Sequence, residues 1–278
     1  MKATEKFREQ THEFWGLVRF VSQELGYTNR RTRIIRVYSE DEIKKLLKTN
    51  GYNADDELIR TVAEYSNTRA DLLNNTVQNN LMDIDAARTE FERLHTIWKD
   101  EKYLCKIPMN KQSEDKRHEL YLSSIVNILT EKTLREEGLF TGTPCFADDP
   151  NKFLCVVNQE NRIVGAASRR MDGAYPDLNS PKIVWEIKEY YGTTSFGSRV
   201  ADGVYESQLD GYELQRFEEF TGQRIHHVLI VDDHYTWWTM GRSYLCRLID
   251  ILNEGLVDEI IFGREVLTRW PELLRSIL

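Results

Sequence analysis

Apolar residues recur at helical spacing over residues 14–25, and Gly26 ends the run. Ser39-Glu40-Asp41-Glu42 has the capping-box pattern that starts a second helix over residues 42–48. Between these helices, residues 33–38 read as a short strand. Leu58, Val62, Tyr65 and Leu72, then Phe91, Leu94, Ile97 and Trp98, keep a helical period that Asn74-Asn75 and Asn79-Asn80 interrupt. The pattern predicts a pair of helices forming a bundle or a dimer surface. Residues 111–116 are polar, follow Pro108, and read as a linker. The second half opens with a helix over residues 114–136, marked by Leu120, Ile125, Ile128 and Leu129. Apolar runs at 153–157 and 163–167 flank a hairpin turn at 158–162. Residues 183–190 alternate as a strand should. A helix over 200–220 ends near Gly222, and 227–231 is a short apolar strand. A helix over 235–253 closes at Gly255, and 257–262 is a further strand. Helix, three strands, helix, strand, helix, strand implies an α/β (α+β) domain with a mixed central sheet and helices on both faces. The expected organisation is a mainly helical N-terminal region, residues 1–112, followed by this domain, residues 113–278.

The strand at 183–190 carries the chemistry. Its alternation puts Val184, Glu186, Lys188 and Tyr190 on one face and Ile183, Trp185 and Ile187 on the other, toward a core helix. Opposite charges projecting from a mostly buried strand cost several kcal/mol each, by order of magnitude, unless they are paired or bind a metal. Asn179-Ser180-Pro181 reads as a turn, and such a turn is expected to fold Asp177 back beside Glu186. Asp177 and Glu186 would then offer carboxylate oxygens to Mg²⁺, with Mn²⁺ as a substitute, and the Ile187 carbonyl a third ligand. Lys188 would hold or help deprotonate an attacking water and stabilise a more negative transition state. The arrangement is one for cutting phosphodiesters.

Pro176-Asp177, then Glu186-Ile187-Lys188, on this element order, resembles the PD-(D/E)XK nuclease superfamily of restriction endonucleases, phage-type exonucleases and RecB-like nucleases. The resemblance covers roughly residues 113–262. Gln208-Leu209-Asp210-Gly211-Tyr212 fits the Gln-X-X-X-Tyr pattern of RecB-like members. It implies that Gln208 and Tyr212 reach toward the active site or the DNA backbone. It also implies a glutamate on the helix before the first strand, with Glu119 the best placed and Glu131 second. The gap of eight residues after Asp177 is tight, which makes Asp172 a substitute for it. The implied activity is a Mg²⁺-dependent DNA endonuclease of the restriction type, working as a homodimer beside a cognate methyltransferase. A RecB-like nuclease with a helicase partner, and a non-catalytic binding or assembly protein that keeps the fold, are the alternatives.

Charge sharpens the question of the partner. The 278 residues hold 37 basic and 45 acidic side chains, a net charge of −8. Residues 1–112 hold 19 basic and 18 acidic residues, so the acidic excess lies wholly in the second half. Grip on DNA by charge alone is not expected there. Arg30, Arg31, Arg33 and Arg36 form an acid-free basic run that reads as a small DNA-contacting module, a solvated loop, or an interface for the acidic half. The loop from Gly192 to Gly197 with Ser198 and Arg199 is a second candidate for the DNA backbone. His226, His227 and His234 read as sheet-edge and capping residues, and Trp237-Trp238 as core or interface. Four scattered cysteines without ligand spacing fit a reducing, cytoplasmic setting and argue against structural zinc. No signal peptide and no membrane-length apolar run is expected.

Overall fold

The computed structural model describes residues 1–29, 31–109, 120–142, 145–148, 155–191 and 197–278. The N-terminal part comprises α1 (Glu5–Arg8), α2 (His12–Leu25), α3 (Glu40–Thr49) and α4 (Asp56–Leu72). The Thr11 side chain accepts from the Phe14 N–H at the start of α2, and Gly26 ends the helix at φ 87°. Ser39 and Glu42 make both halves of the capping box on α3. The asparagine pairs fall in a π turn (Leu73–Val77) and in α5 (Gln78–Asn80), and α6 (Ile84–Asp100) completes the expected helix pair. Residues 33–38 form no strand. Arg33 sits at φ 58°, which breaks an extended run, and only an isolated bridge joins Ile35 to Thr28.

The rest of the chain runs α7 (Tyr121–Glu136), β1 (Val156–Gln159), β2 (Arg162–Ala166), β3 (Gly173–Tyr175), β4 (Ile183–Lys188), α8 (Ser198–Thr221), β5 (His226–Val231), α9 (Arg242–Asn253), β6 (Glu259–Phe262) and α10 (Val266–Ile277). β1 and β2 form a separate hairpin that turns at Glu160 and Asn161, both at positive φ. The main sheet has the order β3-β4-β5-β6, with β3 antiparallel to β4 and β4, β5 and β6 parallel. The fold is thus mixed α/β, with helices on both faces of a mixed sheet. Two elements go beyond the apolar pattern. β3 is only three residues long, and α10 keeps its apolar period of Val266, Trp270, Leu273 and Leu274 across Pro271. The helix expected over 235–253 divides into a π turn (His234–Met240) and α9, and it buries Trp237 and Trp238.

Alternation along β4 assigns its two faces as expected. Ile183 and Trp185 pack among α7 and α10, with Trp185 edge-on to Trp270 at 5.0 Å between ring centroids. Thr130 on α7 accepts the Trp270 indole N–H at 2.9 Å, so the large ring is buried without an unmet donor. Val184 turns the other way, toward Leu214 and Phe217 of α8. The two halves meet at a buried ion pair. Arg69 of α4 reaches Asp250 of α9 at 2.9 Å, and Tyr65 donates to the same carboxylate at 2.6 Å. The basic turn packs there too, since Arg33 donates to the Thr239 carbonyl at 2.6 Å.

The register of β3 on β4 depends on one missing side chain. Gly173 lies opposite Trp185, and a Cβ on it would fall 2.0 Å from the indole ring. Gly173→Ala is expected to destabilise the protein by about 1–3 kcal/mol through overpacking. A lower urea midpoint at unchanged slope is the readout, and an unchanged midpoint would show that the indole moves aside freely.

Candidate active site

Pairing Gly173 with Trp185 makes Asp172 the neighbour of Glu186. The Asp172 N–H donates to the Trp185 carbonyl at 3.1 Å, and its carboxylate accepts the Ile187 N–H at 2.7 Å. The expected turn at 179–181 exists but leads elsewhere. Lys182 N–H bonds to the Tyr175 carbonyl at 2.8 Å, which closes residues 176–181 into a loop at the far end of the β3–β4 hairpin. Asp177 is exposed in that loop and caps the Asn179 N–H. The expectation that Asp177 lies beside Glu186 is therefore corrected, and Asp172 takes that place. The reason is register: in an antiparallel hairpin the partner of Glu186 is set by the strand pairing, not by the nearest acid before the turn.

Glu186 and Lys188 project from β4 onto α8 and are nearly fully buried, at 3% and 4% exposure. Lys188 Nζ donates to Glu186 at 2.9 Å and to Glu206 of α8 at 2.7 Å. Gly203, one turn earlier on α8, leaves room for the Tyr190 hydroxyl beside the lysine stem, since a Cβ there would come within 2.7 Å of that oxygen. Arg169, on the bend between β2 and β3, completes the cluster. Its guanidinium donates to Glu186 at 2.7 Å and to Asp210 at 2.8 Å, and lies 3.2 Å from Glu206. Glu206 and Asp210 are one helical turn apart and so share a face of α8. Asp172, Glu186, Glu206 and Asp210 thus gather around Arg169 and Lys188.

The protonation states follow from this packing. Burial, then the negative charge of Glu186, pushes the Asp172 carboxyl up to about 8. Burial would also raise Glu186, but Lys188 and Arg169 outweigh it and hold that carboxyl below its usual range. Burial disfavours the Lys188 ammonium, yet Glu186 and Glu206 more than offset this and raise its pKa. Lys188 is therefore a fixed cation, suited to stabilising charge rather than to taking a proton from water. Burial raises Asp210 to about 7 against the pull of Arg169.

Within the cluster, two buried carboxylate oxygens have no hydrogen-bond partner: Oε2 of Glu186 and Oδ1 of Asp210. Unmet carboxylate oxygens in a buried site are the donors a hard cation takes, so the chemistry of the set fits Mg²⁺ or Mn²⁺. The Ile187 carbonyl also suits the expected ligand role. N–H and C=O of one strand residue point the same way, and the Ile187 N–H faces Asp172 beyond the start of β3. Among the described residues, however, no three acidic, histidine or cysteine side chains stand close enough to hold a metal in the present arrangement. Arg169 already bridges three of the four carboxylates.

The remaining expected residues disperse. Gln208 lines a pocket of about 430 Å³ with Arg19, Tyr27, Tyr205 and Arg247, between α2, α8 and α9. Tyr212, one turn on, is exposed and near Arg19. Two positions along a helix is a rotation of about 200°, so Gln208 faces away when Glu206 faces in. The motif is present, but it is not directed at the cluster. Arg36 pairs with Glu42 at 2.8 Å and Arg33 is bound to Thr239, so the basic run is in part an interface to the acidic half, whereas Arg31 is exposed. Arg199 is exposed at the start of α8. Glu119, Arg30, residues 192–196 and the Ser198 side chain lie outside the described residues. Glu131 caps the N–H groups of Leu104 and Cys105 and pairs with Arg135, which is structural work. His227 is buried within β5 rather than at a sheet edge, its ring on the Leu256 carbonyl at 2.9 Å. Sequence reading missed Arg169, Glu206 and Asp210. The signal for the last two was the spacing of Gly203, Glu206, Asp210 and Glu213 along one face of the helix that follows Glu-X-Lys.

A mixed α/β domain with a buried carboxylate–cation cluster at the open end of a strand hairpin is the class that fold and site define. The chain belongs to the family described as Domain of unknown function (DUF7687), whose model matches residues 82–277. A second model, Domain of unknown function (DUF7690), matches residues 1–76. The two meet near α5, so α6 falls with the second half, as it does in packing against α7. No curated protein and no solved structure matches the chain. No described helix is long and apolar enough to cross a membrane.

The raised Asp172 carboxyl sets a pH dependence with a definite sign. Between its ordinary value of 3.8 and about 8, the folded protein binds more protons there than the unfolded chain does. Stability contributed by this group therefore falls as pH rises through that window and is flat above it. Asp210 adds the same sign up to about 7. Urea midpoints are expected to fall from pH 5 to pH 8 (about the window in which such a carboxyl titrates), and Asp172→Asn to flatten the fall. An equal slope in Asp172→Asn would assign the effect to other groups.

Proposed function

We propose that this protein is a divalent-metal-dependent nuclease of the PD-(D/E)XK kind that hydrolyses phosphodiester bonds in DNA, with Asp172, Glu186 and Lys188 as its catalytic set. The observation that carries this reading is the register that sets Asp172 against Glu186 and the Ile187 N–H, with Lys188 two residues on. Asp172, Glu186 and the Ile187 carbonyl would hold the metal, which when bound supplies Lewis acidity and a more acidic water. Lys188, kept protonated by Glu186 and Glu206, would offset charge building on the phosphoryl oxygens. Asp172 releases its proton near pH 8 without a cation, so cation binding and deprotonation are linked, and alkaline conditions favour both. Foreign DNA is the substrate class the restriction-type reading implies, with the chain acting as a homodimer. A non-catalytic binding protein is the second reading, favoured by the pairing of Arg169 with three carboxylates.

The test is cleavage of supercoiled, linear and single-stranded DNA, modified and unmodified, with Mg²⁺ or Mn²⁺. Asp172→Asn, Glu186→Ala and Lys188→Ala are each expected to lower the rate about a hundredfold or more. Asp177→Asn should stay within a few-fold of wild type. Metal-dependent cleavage that survives Glu186→Ala and Lys188→Ala would refute the site. Absence of cleavage on every substrate would favour the second reading.

A further inference from the structure

Arg169 is the part of the cluster that the nuclease reading leaves without a task. Its guanidinium bridges Glu186, Glu206 and Asp210, all at 3.2 Å or less. Four carboxylates in the cluster face two cations, Arg169 and Lys188. Even so, Glu186 Oε2 and Asp210 Oδ1 remain buried and unpartnered, on side chains 3% and 0% exposed. Arginine has not satisfied the site; it has filled part of it.

We propose that Arg169 and a divalent cation are alternative occupants of this cluster. In the metal-free protein the guanidinium is a tethered counter-ion for Glu186 and Asp210. When a cation enters, Arg169 leaves, and Asp210 joins Glu186 as a ligand. The inference rests on the metal-binding part of the proposed function but not on cleavage.

Three features support exchange rather than permanent pairing. First, the two anchors of the segment do not depend on the guanidinium. The Ser168 N–H and hydroxyl bond to Glu213 of α8, and Met171 is fully buried in the core. The arginine side chain can therefore swing while its backbone stays. Second, the Arg169 side chain is 25% exposed, whereas Lys188 is 5% exposed. Of the two cations, the arginine is the one with a path to solvent. Third, replacing one positive charge by two leaves the cluster one unit less negative, and the incoming ion can take both unmet oxygens. Arginine donors lie in a fixed plane and cannot reach oxygens on every side, whereas a Mg²⁺ or Mn²⁺ ion accepts them octahedrally. This also explains why, among the described residues, no three ligands converge as the side chains stand.

Mn²⁺ binding, measured by titration calorimetry and by loss of the free-ion paramagnetic resonance signal, tests the proposal without any cleavage assay. Arg169→Gln is expected to bind Mn²⁺ about tenfold or more tightly than wild type, since the competing charge-assisted bonds are gone. Asp210→Asn should bind more weakly than wild type, and Glu186→Gln should abolish binding. Arg169→Gln should also be less stable than wild type in chelator and regain that loss in Mn²⁺. Arg169→Lys, which keeps the charge and the fold, should fall between the two. If wild type binds Mn²⁺ through Glu186 and neither Arg169 variant binds more tightly, the proposal is overturned while the nuclease site stands. If Arg169→Gln binds tightly and no DNA is ever cut, exchange holds and the nuclease reading fails. If wild type and every variant bind no Mn²⁺, both fail.

Discussion

The contact between Trp185 and Gly173 is the constraint on which the site depends. The indole occupies the space of a side chain that residue 173 lacks, so β3 can approach β4 in one register only. On the same face, Trp185 is held by Trp270, whose N–H is fixed to α7. A slip of one residue would turn the side chains of β3 to the opposite layer and take Asp172 away from Glu186. Trp185 in turn fixes which face of β4 meets α7 and α10, and so turns Glu186 and Lys188 toward α8. Apolar packing on one side of the strand thereby positions charges on the other.

Those charges are a poor device for stability. Placing ionised groups in a protein interior is costly, and pairing returns the cost only when every lone pair and proton is met. Here two carboxylate oxygens go unmet and Asp172 keeps its proton to nearly pH 8. The Arg69–Asp250 pair also leaves one buried atom unmet, Arg69 Nε, but it differs in what it joins. There a serine and a tyrosine add hydrogen bonds, and the pair joins α4 to α9, a role in the architecture. The β4 cluster joins elements that the apolar core already joins, with Val184 packed on Leu214 and Phe217. Its strain has no structural return, which is the physical case for a site that a ligand completes.

Much of this was legible in the sequence because alternation and helical period act locally. The two faces of β4, the capping box at Ser39 and the strand at 227–231 follow from spacing alone. The cluster itself was only half legible. Glu186 and Lys188 lie on one strand, so their relation is fixed at i, i+2. Asp172 immediately precedes a neighbouring strand of three residues, two of them Gly and Ala, which leaves almost no apolar pattern to read. Asp177 lies nearer in sequence and follows a proline, but proximity in sequence does not set the register. Glu206 and Asp210 were hidden by attention to Gln208 and Tyr212, which occupy a different face of the same helix. The basic run left DNA contact, a solvated loop and an interface open for another reason. Its charge was visible, but the carbonyl of Thr239 and the carboxylate of Glu42 that engage it come from folding.

The engagement of those arginines bears on how an acidic domain would meet nucleic acid. Nonspecific affinity for a duplex comes chiefly from cations that displace counterions along the phosphates. Arg33 and Arg36 are committed to partners within the chain, and the half that holds the cluster is the acidic one. Long-range attraction is therefore weak, and a bound divalent ion would supply a large share of the positive charge at the cutting point. An enzyme of the proposed kind would gain from keeping its carboxylates neutralised by Arg169 until a metal arrives. The bare cluster would repel the backbone it has to approach, whereas the occupied one would not. On this view the same electrostatics that make the cluster unstable when empty make DNA binding and metal binding favour one another.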